Sequence, residues 1–149
     1  MHYAALGKPR KEVIRQVKEG NASVKDCSSY IPIGNAASKI RKWQQQGASI
    51  SYLTSRKSAK EVSEIRNVLK RHGFPEGELF YRSGKEEYKD VVLRAEPDIL
   101  IEDDCESIGA DEIIAPKLAG SSIKTIVVRE FGGIDHLPDD MEWLRNSRV

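Results

Sequence analysis

Three consecutive carboxylates, Glu102, Asp103 and Asp104, follow the apolar run Ile99-Leu100-Ile101. Adjacent acids repel one another unless a cation or a cationic side chain stands close by. No His or Cys sits beside them at ligand spacing, so the metal these oxygens suit is Mg²⁺, a hard ion that accepts a few carboxylates, water and phosphate oxygens. The same tripeptide also reads as a solvated acidic turn or a helix cap. A second segment that could do chemistry is Thr54-Ser55-Arg56-Lys57, two hydroxyls and two cations directly after Tyr52-Leu53. It reads either as a phosphate cradle or as an ordinary turn from strand to helix. Asp135-His136 invites acid–base work, but no Ser or Cys nucleophile is spaced to join the pair, which favours a brace between loops. Cys27 and Cys105 stand far apart without metal-ligand spacing and read as two reduced thiols.

The elements that must position these groups follow from periodicity. Pro9 with Val13, Ile14 and Val17 predicts a short helix that ends at Gly20. Asn35 is placed to cap a helix with Ala36, Ala37, Ile40 and Trp43 on one face, closed by Gly47. The run from Ala48 to Leu53 predicts a strand. Ser58 and Glu61 have the spacing of a capping box, opening a helix with Ala59, Val62, Ile65 and Leu69 on its apolar face and Gly73 at its end. Then come a short strand at Leu79-Phe80-Tyr81, a helix from Lys85 to Ala95 stopped by Pro97, and a strand over 98–101. A helical stretch from Ala110 to Leu118, kinked at Pro116, and a strong strand from Ile123 to Val128 complete the alternation. Residues beyond Val128 read as a peripheral tail, with Met141 and Trp143 as packing residues of a terminal helix.

Strands joined by helices from residue 35 to residue 128 predict an α/β fold: an open, doubly wound, mainly parallel sheet with helices on both faces. A chain of 149 residues is the size of one domain, and nothing in it marks a linker or a repeat. In such sheets ligands bind beyond the carboxyl ends of the strands, which is where both chemistry-bearing segments fall. Lys and Arg total 24 against 23 Asp and Glu, a formal charge of +1, which gives no reason to expect nucleic acid or an anionic membrane as partner. No apolar stretch approaches the roughly 20 residues that span a bilayer. The opening residues lack the pattern of a signal peptide, so the expected location is cytoplasmic.

Taken together, Tyr52-Leu53-Thr54-Ser55-Arg56 and Pro97-Asp98-Ile99-Leu100-Ile101-Glu102-Asp103-Asp104, joined by a helix, a short strand and a Lys-containing helix, resemble the second to fourth motifs of the haloacid dehalogenase-like (HAD-like) phosphohydrolases. Glu102-Asp103 followed by Ser107 and Gly109 is similar to the acidic and small-residue pattern of many members. The likeness covers residues 35 to 128. It implies that Thr54 binds the phosphoryl group of a small phosphorylated metabolite, with Ser55 and Arg56 beside it. It also implies that a Lys neutralises the group, Lys89 in preference to Lys85, and that Asp103 holds Mg²⁺ with Glu102 or Asp104 assisting. Such a chain would be a Mg²⁺-dependent phosphatase, because phosphoryl transfer depends on positioning and charge neutralisation.

One part of the pattern is missing. Upstream of Thr54 no hydrophobic strand ends in Asp-x-Asp, the motif that supplies the family's nucleophile; Asp26 lies in a polar turn. Either the sequence begins inside a longer reading frame or this is a homologue that has lost its nucleophile. As written it is expected to be inactive as a phosphatase. The runner-up reading is a noncatalytic α/β module that uses the acidic cluster to bind a metal or a partner. The family's first strand lies at the centre of its sheet, so its loss would leave two neighbours unpaired. The expected remedy is that His2-Tyr3-Ala4-Ala5-Leu6 takes part of that place, or that the sheet closes up and the chain forms a homodimer through the exposed edge.

Overall fold

The computed structural model describes residues 1–109 and 113–146. It is a mixed α/β structure with five helices, α1 (Arg10–Lys18), α2 (Ala36–Gln45), α3 (Ala59–Arg71), α4 (Tyr88–Ala95) and α5 (Met141–Asn146), among the described residues. Four strands accompany them: β1 (Ser51–Thr54), β2 (Glu78–Tyr81), β3 (Ile99–Asp103) and β4 (Lys124–Val128). All pairings are parallel, as strands separated by helical connections require. They make two separate two-stranded sheets, β1 with β2 and β3 with β4, where one continuous sheet was expected.

Side-chain alternation divides β3 between two layers. Ile99 and Ile101 join Ile126 and Val128 against Trp43 of α2, Leu137 and Leu144. Leu100 faces the other way, onto Val92 of α4 and the short 3-10 helix Ala115–Leu118, through Ile114 and Leu118. The register Ile101↔Ile126 keeps the apolar positions of both strands on one face. Helix α4 joins the halves, since Leu53 of β1 packs against the same cluster as Leu100, and Arg94 lies 5.5 Å over the Phe80 ring of β2.

Several local expectations are corrected. The segment after Val128 is no tail: Leu137 and Leu144 are 3% and 1% exposed within the larger core, and Lys39 of α2 donates to Leu137 O at 2.6 Å and to Asp139 at 2.6 Å. Met141 packs against that core, but Trp143 is 59% exposed and packs little. Asn35 and Ser58 stand at N-cap positions without using their side chains as caps. Asp135 accepts from Asn35 N instead, at 3.0 Å, and Glu61 pairs with Arg56 Nη1 at 3.0 Å. The Asn35 side chain is turned away from the helix to Asp135, to which its Nδ2 donates at 3.3 Å, and a guanidinium out-competes a backbone N–H for the Glu61 carboxylate. Helix α4 begins at Tyr88 and not at Lys85, because Glu86 folds back onto Ser83 N and Asp90 accepts from Glu87 N at 2.9 Å to start the helix there. The stretch expected to be helical from 110 to 118 is a 3-10 helix over Ala115–Leu118; residues 110–112 lie outside the described residues.

The N-terminal residues do not become a strand. Tyr3–Ala5 forms a 3-10 turn packed on α1, and His2 is buried at 2% exposure with Nδ1 2.7 Å from Ser23 Oγ. Burial first, and the nearby Met1 ammonium second, hold the His2 pKa below its ordinary 6.5. Between that lowered value and 6.5 the unfolded chain binds the proton and the folded chain resists it. Stability is therefore complete above pH 6.5 and falls as the pH drops through this window. The urea midpoint of the wild type is expected to drop from pH 7 to pH 5 by more than that of His2→Leu; equal drops would show that the ring does not contribute. No helix of the described residues is long and apolar enough to cross a membrane.

Candidate functional site

The carboxyl ends of β1 and β3 open onto one cavity of about 510 Å³. Its walls are mostly apolar, from Leu53, Ile65, Val68, Ile101, Val128 and Ile134, with Ser55, Glu102, Asp103 and Arg129 among the polar groups at the strand ends and Tyr88 at the start of α4. Of the residues singled out in the sequence, the fold brings Ser55, Glu102 and Asp103 to this cavity. Thr54, Arg56, Lys89 and Asp104 do not line it. Neighbouring residues of a strand end point to opposite sides, so Thr54 and Ser55 cannot both face one ligand from an extended backbone. Thr54 Oγ1 instead accepts from Arg56 N at 3.2 Å, closing a turn, and Arg56 is committed to Glu61. Lys89 lies half-buried on α4, one residue past the Tyr88 that does reach the cavity.

The three acids part company. Glu102 accepts from Ile114 N at 3.0 Å and Ala115 N at 2.5 Å, holding the start of the Ala115–Leu118 turn. Asp103 Oδ1 accepts from Cys105 N at 2.9 Å, a local turn bond that supports the left-handed backbone of Cys105 at φ 48°. Asp104 Oδ1 accepts from Glu130 N at 3.0 Å and lies 3.9 Å from Arg10 Nη2. Repulsion between them is thus met by backbone N–H groups and a guanidinium. No set of three His, Cys, Asp or Glu side chains is gathered to hold a metal among the described residues, so the acids do not fit a three-carboxylate cage. Asp103 is the exposed one of the three, and it lines the cavity.

Two cavity residues carried no chemical signal in the sequence. Tyr88, at the first position of α4, has its phenol pushed up to about 12 by burial and then by Glu102 and Asp103. In the sequence it stands at helical spacing with Val91, Val92 and Ala95, which marks an apolar face and not a chemical group. The Cys105 thiol is likewise pushed up to about 12, by burial and the Asp103 carboxylate, which makes it an unreactive thiol at neutral pH. Both cysteines are free. Asp135 does act as a brace, though its partner is Asn35 across 100 residues and not His136. Gly34 stands at φ +54°, the left-handed region that favours glycine, and a Cβ there would also lie 2.3 Å from Asp135 Oδ2 and push that carboxylate off its bond to Asn35.

Comparison of the chain with protein-family models, with curated proteins and with solved structures finds no match.

Proposed function

We propose that this chain is a haloacid dehalogenase-like phosphohydrolase scaffold, doubly wound in plan and directed at a small phosphorylated metabolite, whose catalytic set is incomplete as the sequence stands. The observation that carries the reading is the convergence of Ser55 from the end of β1 and Glu102 and Asp103 from the end of β3 on one cavity. A hydroxyl and a carboxylate at neighbouring strand ends are the groups that phosphate and Mg²⁺ would meet at the ligand-binding edge of such a fold. Asp103 would hold the ion, with phosphate oxygens and water as further ligands, and the ion would neutralise phosphate charge there. Ser55 would donate to a phosphate oxygen. No aspartate in this sequence stands where the family's nucleophile belongs, and loss of a nucleophile costs on the order of 10⁶ in kcat where it has been measured.

Hydrolysis of p-nitrophenyl phosphate with Mg²⁺ is therefore expected at the buffer rate, the same for wild type and Asp103→Asn. Turnover that disappears in Asp103→Asn would show a complete active site and overturn the reading. Mg²⁺ titration by calorimetry is expected to give heat with the wild type and none with Asp103→Asn. Equal heats would eliminate the metal site and leave the second reading, a noncatalytic α/β module, with the acidic cluster as a partner site. That alternative rests on one observation: Asp103 is exposed at the cavity, where it can meet a cationic partner group without any phosphoryl chemistry.

A further inference from the structure

Among the described residues that line the cavity, Arg129 is the one Lys or Arg, and it follows directly on the carboxyl end of β4. The register Asp103↔Val128 puts it one step past the partner of Asp103, so a guanidinium and a carboxylate stand at the ends of adjacent strands. Opposite charges so placed ordinarily pair with each other. Here, among the described residues, the Arg129 side chain makes neither a hydrogen bond nor an ion pair, and Asp103 has no ion pair. The backbone that carries Arg129 is held firmly. Gly132 N donates to Arg129 O at 2.8 Å, which closes a turn as soon as the strand ends. Glu130, 8% exposed, commits its N to Asp104 Oδ1 at 3.0 Å and its O to Arg10 Nε at 2.8 Å. The Glu130 carboxylate accepts from Ser107 N at 2.7 Å and from Ser107 Oγ at 2.6 Å, so the acid next to Arg129 in the chain is turned inward and leaves the guanidinium unneutralised. The other cations of this region are engaged or elsewhere: Arg56 is held by Glu61, Arg10 by Glu106, and Lys89 does not line the cavity.

We propose that Arg129 is the residue that neutralises and orients the phosphoryl group at this site, in the place that the family likeness gives to a lysine of α4. The inference rests on the phosphohydrolase reading and supplies the cation that Lys89 does not. A phosphate bound with Mg²⁺ sets two requirements at one spot: its oxygens call for donors and positive charge, and the ion calls for a carboxylate. Arg129 and Ser55 answer the first, and Asp103 answers the second. Ser55 Oγ, like the guanidinium, makes no hydrogen bond among the described residues, so both donors are open to a ligand. The absence of a bond between Arg129 and Asp103 fits the same use, since a pair closed on itself would have to be broken before either could meet an ion. A guanidinium binds two phosphate oxygens at once and fixes their direction, which the single point charge of a lysine does not.

The test is calorimetric titration of inorganic phosphate into the full chain at saturating Mg²⁺. Arg129→Gln is expected to bind phosphate about tenfold more weakly than the wild type, the loss of one charge-assisted contact. Its heat with Mg²⁺ alone is expected to persist, and its urea midpoint to stay where it was, because the side chain is exposed and holds no other group. Lys89→Gln is expected to leave the phosphate affinity within about twofold of the wild type, since Lys89 lies outside the cavity. The inference is overturned if Arg129→Gln binds phosphate as the wild type does, or if Lys89→Gln loses as much as Arg129→Gln. In either case a wild type that still takes up Mg²⁺ and phosphate leaves the phosphohydrolase reading standing without Arg129. A wild type that takes up neither overturns both.

Discussion

Replacing Trp43 by alanine is expected to cost about 3–5 kcal/mol of unfolding free energy, a large share of the roughly 5–15 kcal/mol that holds a domain together. Trp43 is 4% exposed and packs from α2 onto Ile126, Val128, Leu137 and Leu144, and its Nε1–H donates to Pro138 O at 2.9 Å. Truncation opens a void under β4 and leaves a carbonyl without its donor, two losses that add. Urea unfolding followed by circular dichroism reads the change as a fall in midpoint at constant slope. Trp143→Ala is the matched control: that ring is 59% exposed and its loss should stay within about 0.5 kcal/mol. Equal losses in the two variants would mean that the segment after β4 does not dock on the core as described.

Glu102→Ala is expected to cost about 1–3 kcal/mol, because it leaves Ile114 N and Ala115 N without an acceptor in a half-buried position. Asp103→Asn should stay within about 0.5 kcal/mol, since asparagine keeps the oxygen that accepts from Cys105 N and the side chain is exposed. The pair separates two uses of adjacent acids. Glu102 supports the connection from β3 to β4, whereas Asp103 is free to serve a ligand at little structural cost. If Asp103→Asn destabilised the chain as much as Glu102→Ala, the acids would be a structural unit and the cavity would lose its one exposed carboxylate as a candidate ligand.

Periodicity carried much of the fold. Helical spacing in Val62, Ile65 and Leu69 and the apolar runs at Leu53, Ile101 and Ile126 set down strands and helices within a few residues of where they stand. Interactions between distant residues left no such trace. Leu137 and Leu144 sit among Pro, Asp and Glu with no period, so their burial depends on Lys39 and Trp43 reaching across from α2. The caps expected at Asn35 and Ser58 failed because Asp135 lies 100 residues away and because Arg56 met Glu61 first. At the candidate site, the strand ends were legible but the direction of each side chain was not. Thr54 and Ser55 are neighbours in sequence and diverge in space, while Tyr88 reaches the cavity in place of Lys89. Three adjacent acids look alike in a string of letters; what distinguishes them is which backbone N–H each one faces.

The placement of α4 has a consequence for how the molecule comes apart. Each strand pair closes within a short stretch of chain, 51–81 and 99–128, so each forms at a modest loop-closure cost. Val92, fully enclosed between Leu53 and Leu100, ties these local units together. Helix α2 is a second tie, since Arg41 and Gln44 donate to Gly73 O and Glu76 O while Trp43 packs on β4, so a chain in which both helices fray would melt in two steps rather than one.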